Sequence, residues 1–532
     1  MTLHLSFLVW APAAFALAGA VLGGRSRPSV ARALAVLGTL TALGYGIALV
    51  IDYKSGGGLQ YVTDRMWIRE LGIHYKIGVD GLNLFLVLLT SVLFTATTLW
   101  AMSERRQNES QFWLHLGLGH TFVLGALVAQ DLALFVAFFD LMLIPFFFLT
   151  LGWGAGEREE RVRAVTKLVI YTLVGSLLML TAAIALAVLS SSQSGRPLSF
   201  AFSDLSQVTL TSGSQNWIFL CFAAAFLVKM PSFPFHGWMP DGYRSMPLPV
   251  LAVFSGVLSK VAAYGFLRIV VPILPDASVH FQTLMLLIAL GSVLYGSVMA
   301  FSVTNVRLIL GYSSIAQLGF IVLGVFSLTE QGAQGAILQS VNHGLVVAPA
   351  FFIAGLVAAR CGSEDLRDMG GVAFRAPVLT TLFLIVAMAN LAIPGSSNFV
   401  GEFLILLGLF NSKLAIAVIA FTGVALASVY TLRFFIRAMH NRVGPHADSR
   451  DISVRDAVVL VPLVLCILAL AVYPQLALKK GEASVKGSVA AALAITKPST
   501  AAAAPGGAAP GAGAEAGAVP SGGTDPATGG TP

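Results

Sequence analysis

The stretch WIFLCFAAAFLVKMPSFPFHGWMPD, residues 217–241, joins an apolar run to a lysine and two prolines. Lys229 ends the run, and Pro231 and Pro234 follow at once. A charged group at the centre of a bilayer costs about 2.5–3.5 kcal/mol even on a lenient insertion scale, so such a residue usually faces protein or a water-filled path. Proline removes a backbone donor and interrupts a helix. The stretch therefore predicts a broken membrane helix with a buried lysine at the break.

The composition predicts an all-α polytopic membrane protein with about 14 transmembrane helices. Of the 532 residues, 57% are hydrophobic and 11% are charged, and mean hydropathy is +0.84, whereas a soluble domain has about 25% charged residues. Apolar runs of the length that spans a bilayer as a helix recur along most of the chain. The net charge of +7 is explained by basic loops on the cytoplasmic side and needs no nucleic acid.

The loops divide the chain and orient it. Lys and Arg are concentrated in alternate loops such as 103–110 and 154–167, which predicts that both termini lie on the outer side of the membrane. The domains expected are listed in chain order: N-terminal membrane helices with an outer loop (1–110), an ion-translocating core (111–440), a C-terminal membrane helix (441–480) and a disordered Ala/Gly/Pro-rich tail (481–532).

A second broken helix is predicted in the core. The apolar segment 377–410 is interrupted at Ala-Ile-Pro394-Gly-Ser-Ser-Asn. Interruptions at corresponding positions of two halves are typical of transporters built from inverted repeats. We expect two five-helix repeats, about 111–271 and 281–440, each broken in its fourth helix. The alternative is a pair of ordinary proline kinks.

Five ionisable residues lie within the predicted spans. They are Asp140, Lys229, Lys260, His343 and Glu402. Burial disfavours the charged form of such groups and a nearby opposite charge favours it, so a buried Lys–Asp pair can hold or release a proton as the partners move. We interpret the five as members of one proton relay. The alternatives are a structural ion pair for each acid or lysine and a hydrogen-bonded core histidine for His343.

Residues 225–241 resemble the signature of the antiporter-like subunits of respiratory complex I. The pattern is Val-Lys-x-Pro-x-x-Pro-x-His-x-Trp-x-Pro-Asp, and similar blocks follow at 307–315 and 343–344. Glu402 in the twelfth span, with the segments 77–84 and 138–145, is similar to the M-type subunits rather than to the L and N types.

The resemblance implies a proton-translocating subunit of an NADH:quinone oxidoreductase in a bacterial inner membrane, with L-type and N-type subunits as neighbours. Asp140 would modulate Lys229, Lys260 would pass the proton on through histidine and water, and Glu402 would lead outward. Flavin, iron–sulfur clusters and quinone would bind other subunits, and this chain would hold no cofactor or metal. The supporting positions in this resemblance are Pro231, Pro234, His236, Tyr312, Gln317 and Pro394.

The chain departs from the family pattern at three positions. Asp140 stands where glutamate is usual, so we expect a bridging water or a shifted helix between it and Lys229. Gln317 and Tyr243 stand where histidines are usual, and glutamine cannot carry a proton near neutral pH. No long amphipathic connecting helix is expected after the fourteenth span. The functions left open are a multi-subunit cation/proton antiporter, a hydrogenase-linked membrane complex and a non-pumping scaffold.

Overall fold

The computed structural model describes residues 4–24, 26–56, 58–440 and 450–496. The first helices are α1 (Leu5–Gly23), α2 (Pro28–Asp52), α3 (Leu84–Ala101), α4 (Glu109–Val128), α5 (Leu132–Leu141), α6 (Leu143–Trp153), α7 (Arg158–Ser194), α8 (Phe202–Leu205), α9 (Ser212–Lys229), α10 (Met239–Ser245) and α11 (Leu248–Val253). They continue with α12 (Ser259–Gly265), α13 (Val271–Ile273), α14 (Pro275–His280), α15 (Gln282–Ser302), α16 (Val306–Phe326), α17 (Glu330–Cys361), α18 (Pro377–Asn390), α19 (Ser397–Ser412), α20 (Leu414–Met439), α21 (Val454–Val472) and α22 (Gln475–Thr496).

Twelve helical stretches in the described residues are long and apolar enough to cross a membrane. They are α1 to α4, α5 with α6, α7, α11 to α13 taken together, α15, α16, α17, α20 and α21. The predicted count of 14 is not confirmed by this criterion. The difference lies in the two helices that were predicted to be broken: α9 begins with the polar residues SGSQN, and the span at 377–410 is divided into the shorter helices α18 and α19.

The loop at 53–80 contains a β-hairpin that the all-α prediction did not include. Strand β1 (Gln60–Ile68) pairs antiparallel with β2 (Ile73–Val79), in a register that places Asp64 opposite Lys76. Aromatic and β-branched residues favour this conformation. Gly72 makes the turn with φ 61°, the left-handed region in which glycine carries no steric cost.

The prediction that disorder begins at residue 481 is wrong. Residues up to 496 belong to α22, which packs against α13, α14 and α17. Val485, Val489 and Ala492 are buried, at the spacing of one helical face. Burial of that apolar face stabilises a segment whose composition alone predicts no core. The remainder of the predicted tail, 497–532, and residues 441–449 lie outside the described residues.

The same capping arrangement occurs in both predicted repeats and supports them. Asp131 caps α5 and forms an isolated antiparallel bridge with Ala201, in the loop after α7. Asn305 caps α16 and forms the same kind of bridge with Asp365, in the loop after α17. In each half, the second helix therefore begins at a side-chain cap that is tied to the loop following the third helix.

Candidate functional site

Lys229 and Asp140 form an ion pair inside the helix bundle. Lys229 is the last residue of α9, Asp140 lies in the last turn of α5, and the Nζ–Oδ1 distance is 3.0 Å. The Lys229 side chain is 3% exposed and that of Asp140 is 35% exposed. Ser176 of α7 donates a hydrogen bond of 2.5 Å to the same Oδ1. One carboxylate oxygen therefore accepts from both the ammonium and the hydroxyl.

The contact between Lys229 and Asp140 is direct, so the bridging water expected from the short aspartate side chain is not needed. The ammonium also donates to the carbonyl of Phe139, and it lies 3.5 Å from the centroid of the Phe139 ring. Phe139 is in the last turn of α5, where carbonyl groups lack intrahelical donors. The end of α5 thus offers the lysine a carboxylate, a carbonyl and a ring face.

At the break after α9, donors from the protein satisfy backbone carbonyl groups at the end of the helix. The indole of Trp238 donates to the carbonyl of Val228 at 2.9 Å, and the Ser232 amide donates to Leu227 O at 3.2 Å. Irregular backbone at membrane depth is tolerated where protein partners of this kind satisfy it. Pro231 and Pro234 lie within the break, as predicted.

His236 lies beyond this break and stacks among aromatic rings. Its ring centroid is 4.8 Å from that of Tyr295 and 6.4 Å from that of Tyr312. Its Nδ1 is buried and has no hydrogen-bond partner among the described residues. The structure thus brings together His236 and Tyr312, two of the supporting positions.

Lys260 is 1% exposed and lies in α12, between two π-helical turns, Phe254–Leu258 and Phe266–Val270. Its ammonium donates to the Ser255 carbonyl at 2.7 Å and to the Ser259 hydroxyl at 3.2 Å. No carboxylate of the described chain forms a salt bridge with it. π-turns are frequent at functional sites, and here the altered turn supplies the lysine with neutral acceptors only.

His343 of α17 is 1% exposed, and α17 packs against α12, the helix of Lys260. Its Nδ1 is buried without a hydrogen-bond partner in the described part of the chain. The same holds for Oδ1 of the adjacent Asn342. Buried polar atoms are normally satisfied, so these two mark a polar region beside Lys260.

Glu402 is held by two glutamines. It lies in α19, is 3% exposed, and accepts from Gln317 Nε2 at 2.9 Å. Gln339 of α17 donates to Gln317 Oε1 at 2.8 Å and more weakly to Glu402 Oε1 at 3.4 Å. Gln317, the position at which a histidine was expected, is therefore in direct contact with the glutamate. Pro394 lies in the break between α18 and α19, where Gly395 has φ 91°.

The predicted residues form three groups rather than one continuous hydrogen-bonded chain among the described residues. Asp140 pairs with Lys229, Lys260 and His343 lie on the neighbouring helices α12 and α17, and Glu402 accepts a hydrogen bond from Gln317. Sequence reasoning did not identify Ser176 or Gln339, whose contacts join different helices. Their only sequence signal is a polar side chain within an apolar run.

Tyr243, the other departure from the family pattern, lies among aromatic rings. It is buried, and its ring makes edge contacts with Trp238, Phe254 and Phe351. Among the described residues, no three His, Cys, Asp or Glu side chains are grouped as metal ligands would be. Cys221, Cys361 and Cys466 are free thiols.

A family model described as NADH:quinone oxidoreductase/Mrp antiporter, transmembrane, matches residues 129–427. The chain is 33% identical over 486 residues to NADH-quinone oxidoreductase subunit M of Rhodobacter capsulatus, covering 89% of this chain and 93% of that protein. It is 34% identical over 453 residues to subunit M of Escherichia coli strain K12, with 83% and 89% covered.

Solved structures have the same architecture. A chain of respiratory complex I from Thermus thermophilus with bound NADH superimposes with a TM-score of 0.82 at 29% identity, covering 93% of this chain and 99% of that one. A chain of the Mrp complex from Dietzia sp. DQ12-45-1b gives 0.78 at 21% identity, with 92% and 99% covered, which shows a shared fold. The chain belongs to the NADH:quinone oxidoreductase/Mrp antiporter transmembrane family and, within it, to the NADH-quinone oxidoreductase subunit M proteins.

Proposed function

We propose that this chain translocates protons as a membrane-arm subunit of an NADH:quinone oxidoreductase, driven by quinone reduction elsewhere in the complex. The observation that carries the proposal is the ion pair between the buried Lys229 and the partly exposed Asp140 at a helix break. A buried charge is costly in a membrane and usually marks an ion path. The membership of the chain in the subunit M family supports the same function.

The first step of the proposed path is the opening and closing of the Lys229–Asp140 pair. At 3.0 Å, two unit charges attract by about 5–6 kcal/mol at an effective dielectric constant near 20. Separating the partners by a small shift of α5 or α9 changes that attraction strongly, because both groups are short of other charges. The pair thereby acts as a switch on the proton held by Lys229.

The second step passes the proton to Lys260. Its acceptors are neutral, the Ser255 carbonyl and the Ser259 hydroxyl, so no counter-charge fixes the proton there. His343, on the helix α17 that packs against α12, is the next member. Internal water would bridge these groups, since they lack a direct hydrogen-bonded connection in the described chain.

The last step leads through Glu402 to the outer side. Gln317 and Gln339 hold the carboxyl by hydrogen bonds but do not exchange protons near neutral pH. The two amides therefore orient Glu402 while water carries the proton to it. A histidine at position 317 would add a titratable group to this segment.

We further propose the surroundings of the subunit. It would lie in a bacterial inner membrane between L-type and N-type neighbours, with the residues 111–440 as the translocating core and both termini on the outer side. Flavin, iron–sulfur clusters and quinone would be held by other subunits. The basic loops on one side support this orientation, and the subunit M relatives support the partners.

Lys229→Ala in the intact complex tests the proposal. The measurement is protons pumped per electron during NADH oxidation in proteoliposomes, with assembly checked on native gels. Lys413→Ala is the matched control, because Lys413 is an exposed lysine at the end of α19. We expect pumping to fall at least about tenfold in the first variant and to stay normal in the control. Pumping per electron that is unchanged by Lys229→Ala would refute the role of Lys229.

Asp140→Asn distinguishes a pump from a scaffold. Removing one partner of a buried ion pair lowers stability by about 3–5 kcal/mol. Because Asp140 is 35% exposed, we expect a loss at the low end of that range. Loss of turnover with intact assembly is the expected result. Normal pumping and normal assembly together would favour a structural role for the subunit.

A further inference from the structure

A cleft of about 470 Å³ lies between the ends of α4, α6 and α7, away from the proposed proton path. Its polar part is formed by Gln107, Asn108, Gln111, His115 and Arg158. Its remaining lining is mainly aromatic and aliphatic, and no aspartate or glutamate is among the described residues that line it. The cleft therefore offers donors and a positive charge without a competing carboxylate.

Three polar side chains of the cleft are not used by the described part of the chain. Within the described residues, the Arg158 guanidinium and the side-chain amides of Asn108 and Gln111 make no hydrogen bond or ion pair. His115 Nδ1 lies 2.7 Å from the Gln111 carbonyl oxygen, so Nε2 is the nitrogen of this ring that is left for a ligand. Positively charged and amide donors of this kind suit the oxygens of a phosphate group, and arginine binds phosphate in particular.

The cleft is at the depth of a membrane interface. Trp153 ends the spanning stretch Leu132–Trp153, and its indole donates to the Gln107 carbonyl at 2.7 Å. Tryptophan in such a position is typical of the headgroup level of a bilayer. The adjoining segments 103–110 and 154–167 together carry six arginine and lysine residues beside five glutamates.

Next to these polar residues, along α6 and α7, the protein surface is apolar. Phe148 is 51% exposed and Val162 is 45% exposed at the cleft. Ile144 of α6, at 43%, and Ile170 of α7, at 56%, continue the exposed apolar surface along the same two helices. A ligand that fits both parts has a phosphate head and hydrocarbon chains.

We propose that this cleft binds an anionic membrane phospholipid, with the phosphate at Arg158 and Gln111 and the acyl chains along α6 and α7. Basic pockets between membrane helices on the cytoplasmic side commonly bind such headgroups. The exposed aliphatic side chains favour a lipid over free phosphate, because free phosphate has nothing to place on them. The proposal is independent of proton translocation.

The test uses the purified whole complex carrying Arg158→Gln. Its matched control is Arg163→Gln, since Arg163 is an exposed arginine of the same helix that does not line the cleft. The complexes are stripped with detergent and titrated with phosphatidylglycerol, and bound lipid is counted by native mass spectrometry. We expect about fivefold weaker retention in Arg158→Gln, the effect of one interfacial arginine, and no change in the control.

Other outcomes would overturn the proposal. Equal retention by the two variants in intact complexes excludes Arg158 as a headgroup ligand. Retention of phosphatidylcholine as strong as that of phosphatidylglycerol excludes selectivity for an anionic lipid. Displacement of the lipid by millimolar inorganic phosphate indicates a phosphate site without a lipid role. Density for a neighbouring subunit in the cleft of the assembled complex shows a protein occupant instead.

Discussion

The substitution Gly401→Ala tests the Glu402 site without altering a charge. Gly401 immediately precedes Glu402 in α19 and packs against Gln339 of α17. A Cβ at position 401 would overlap Gln339 Oε1 and would lie 3.0 Å from Gln339 Cβ and 3.1 Å from Gln339 Cα. The Cα belongs to the helix backbone, so a rotamer change alone cannot relieve the contact.

The expected change in the free energy of unfolding combines two costs and one gain. Overpacking in a close-packed interior costs about 1–3 kcal/mol. Displacing Gln339 loses its 2.8 Å hydrogen bond to Gln317, which adds about 1 kcal/mol. The preference for alanine over glycine in a helix returns about 0.8–1 kcal/mol. We therefore expect a net loss of about 1–3 kcal/mol in the free energy of unfolding, with Glu402 left on a less ordered set of donors.

The assay combines stability with pumping. Thermal unfolding and protons pumped per electron are measured for the complex carrying Gly401→Ala and for one carrying Gly44→Ala. Gly44 is also helical, but a Cβ there meets nothing within 4 Å. We expect lower stability and weaker pumping at 401, and neither effect at 44. If the two variants behave alike in both measurements, the packing of Gln339 against α19 does not control Glu402.

A double-mutant cycle with Gln339→Ala separates the steric effect from the loss of the amide. Residues in contact show interaction energies of about 0.5–3 kcal/mol. Because Gln339→Ala removes the overlapping amide, Gly401→Ala should cost less in that background than in the wild type. Strict additivity would contradict the contact.

Three further predictions concern positions outside these groups. Arg367 and its hydrogen bonds hold the pKa of Asp365 below its ordinary value, so the stability that wild type has over Asp365→Asn is present at neutral pH and shrinks as pH falls below about 4, measured by thermal unfolding across pH. Gly81→Ala would place its Cβ against the backbone of α22, and limited proteolysis should then remove the C-terminal helix at least several times faster than in wild type. Asn390→Ala loses a 2.9 Å bond to Thr431, which should lower stability by about 1 kcal/mol in the same unfolding assay, whereas equal stability would contradict a structural role for that bond.

The sequence predicted the helical membrane fold and both broken helices, because apolar length and proline act locally. It did not predict the hairpin at 60–79 or the helix at 475–496. The first is a short segment within a long loop, and the second has a weakly apolar composition that becomes stable only against α13, α14 and α17. Both outcomes depend on surfaces supplied by other parts of the chain.

The amino-acid sequence by itself determined which residues are costly in a membrane: Asp140, Lys229, Lys260, His343 and Glu402. Their identity and their apolar surroundings are local properties, and they predict burial whatever the fold. Only the tertiary structure decided their partners. Ser176 reaches Asp140, and Gln339 reaches Gln317 and Glu402, because helices far apart in the chain pack side by side. Hydrogen bonds act over about 3 Å, so such pairings depend on helix packing that no local pattern encodes.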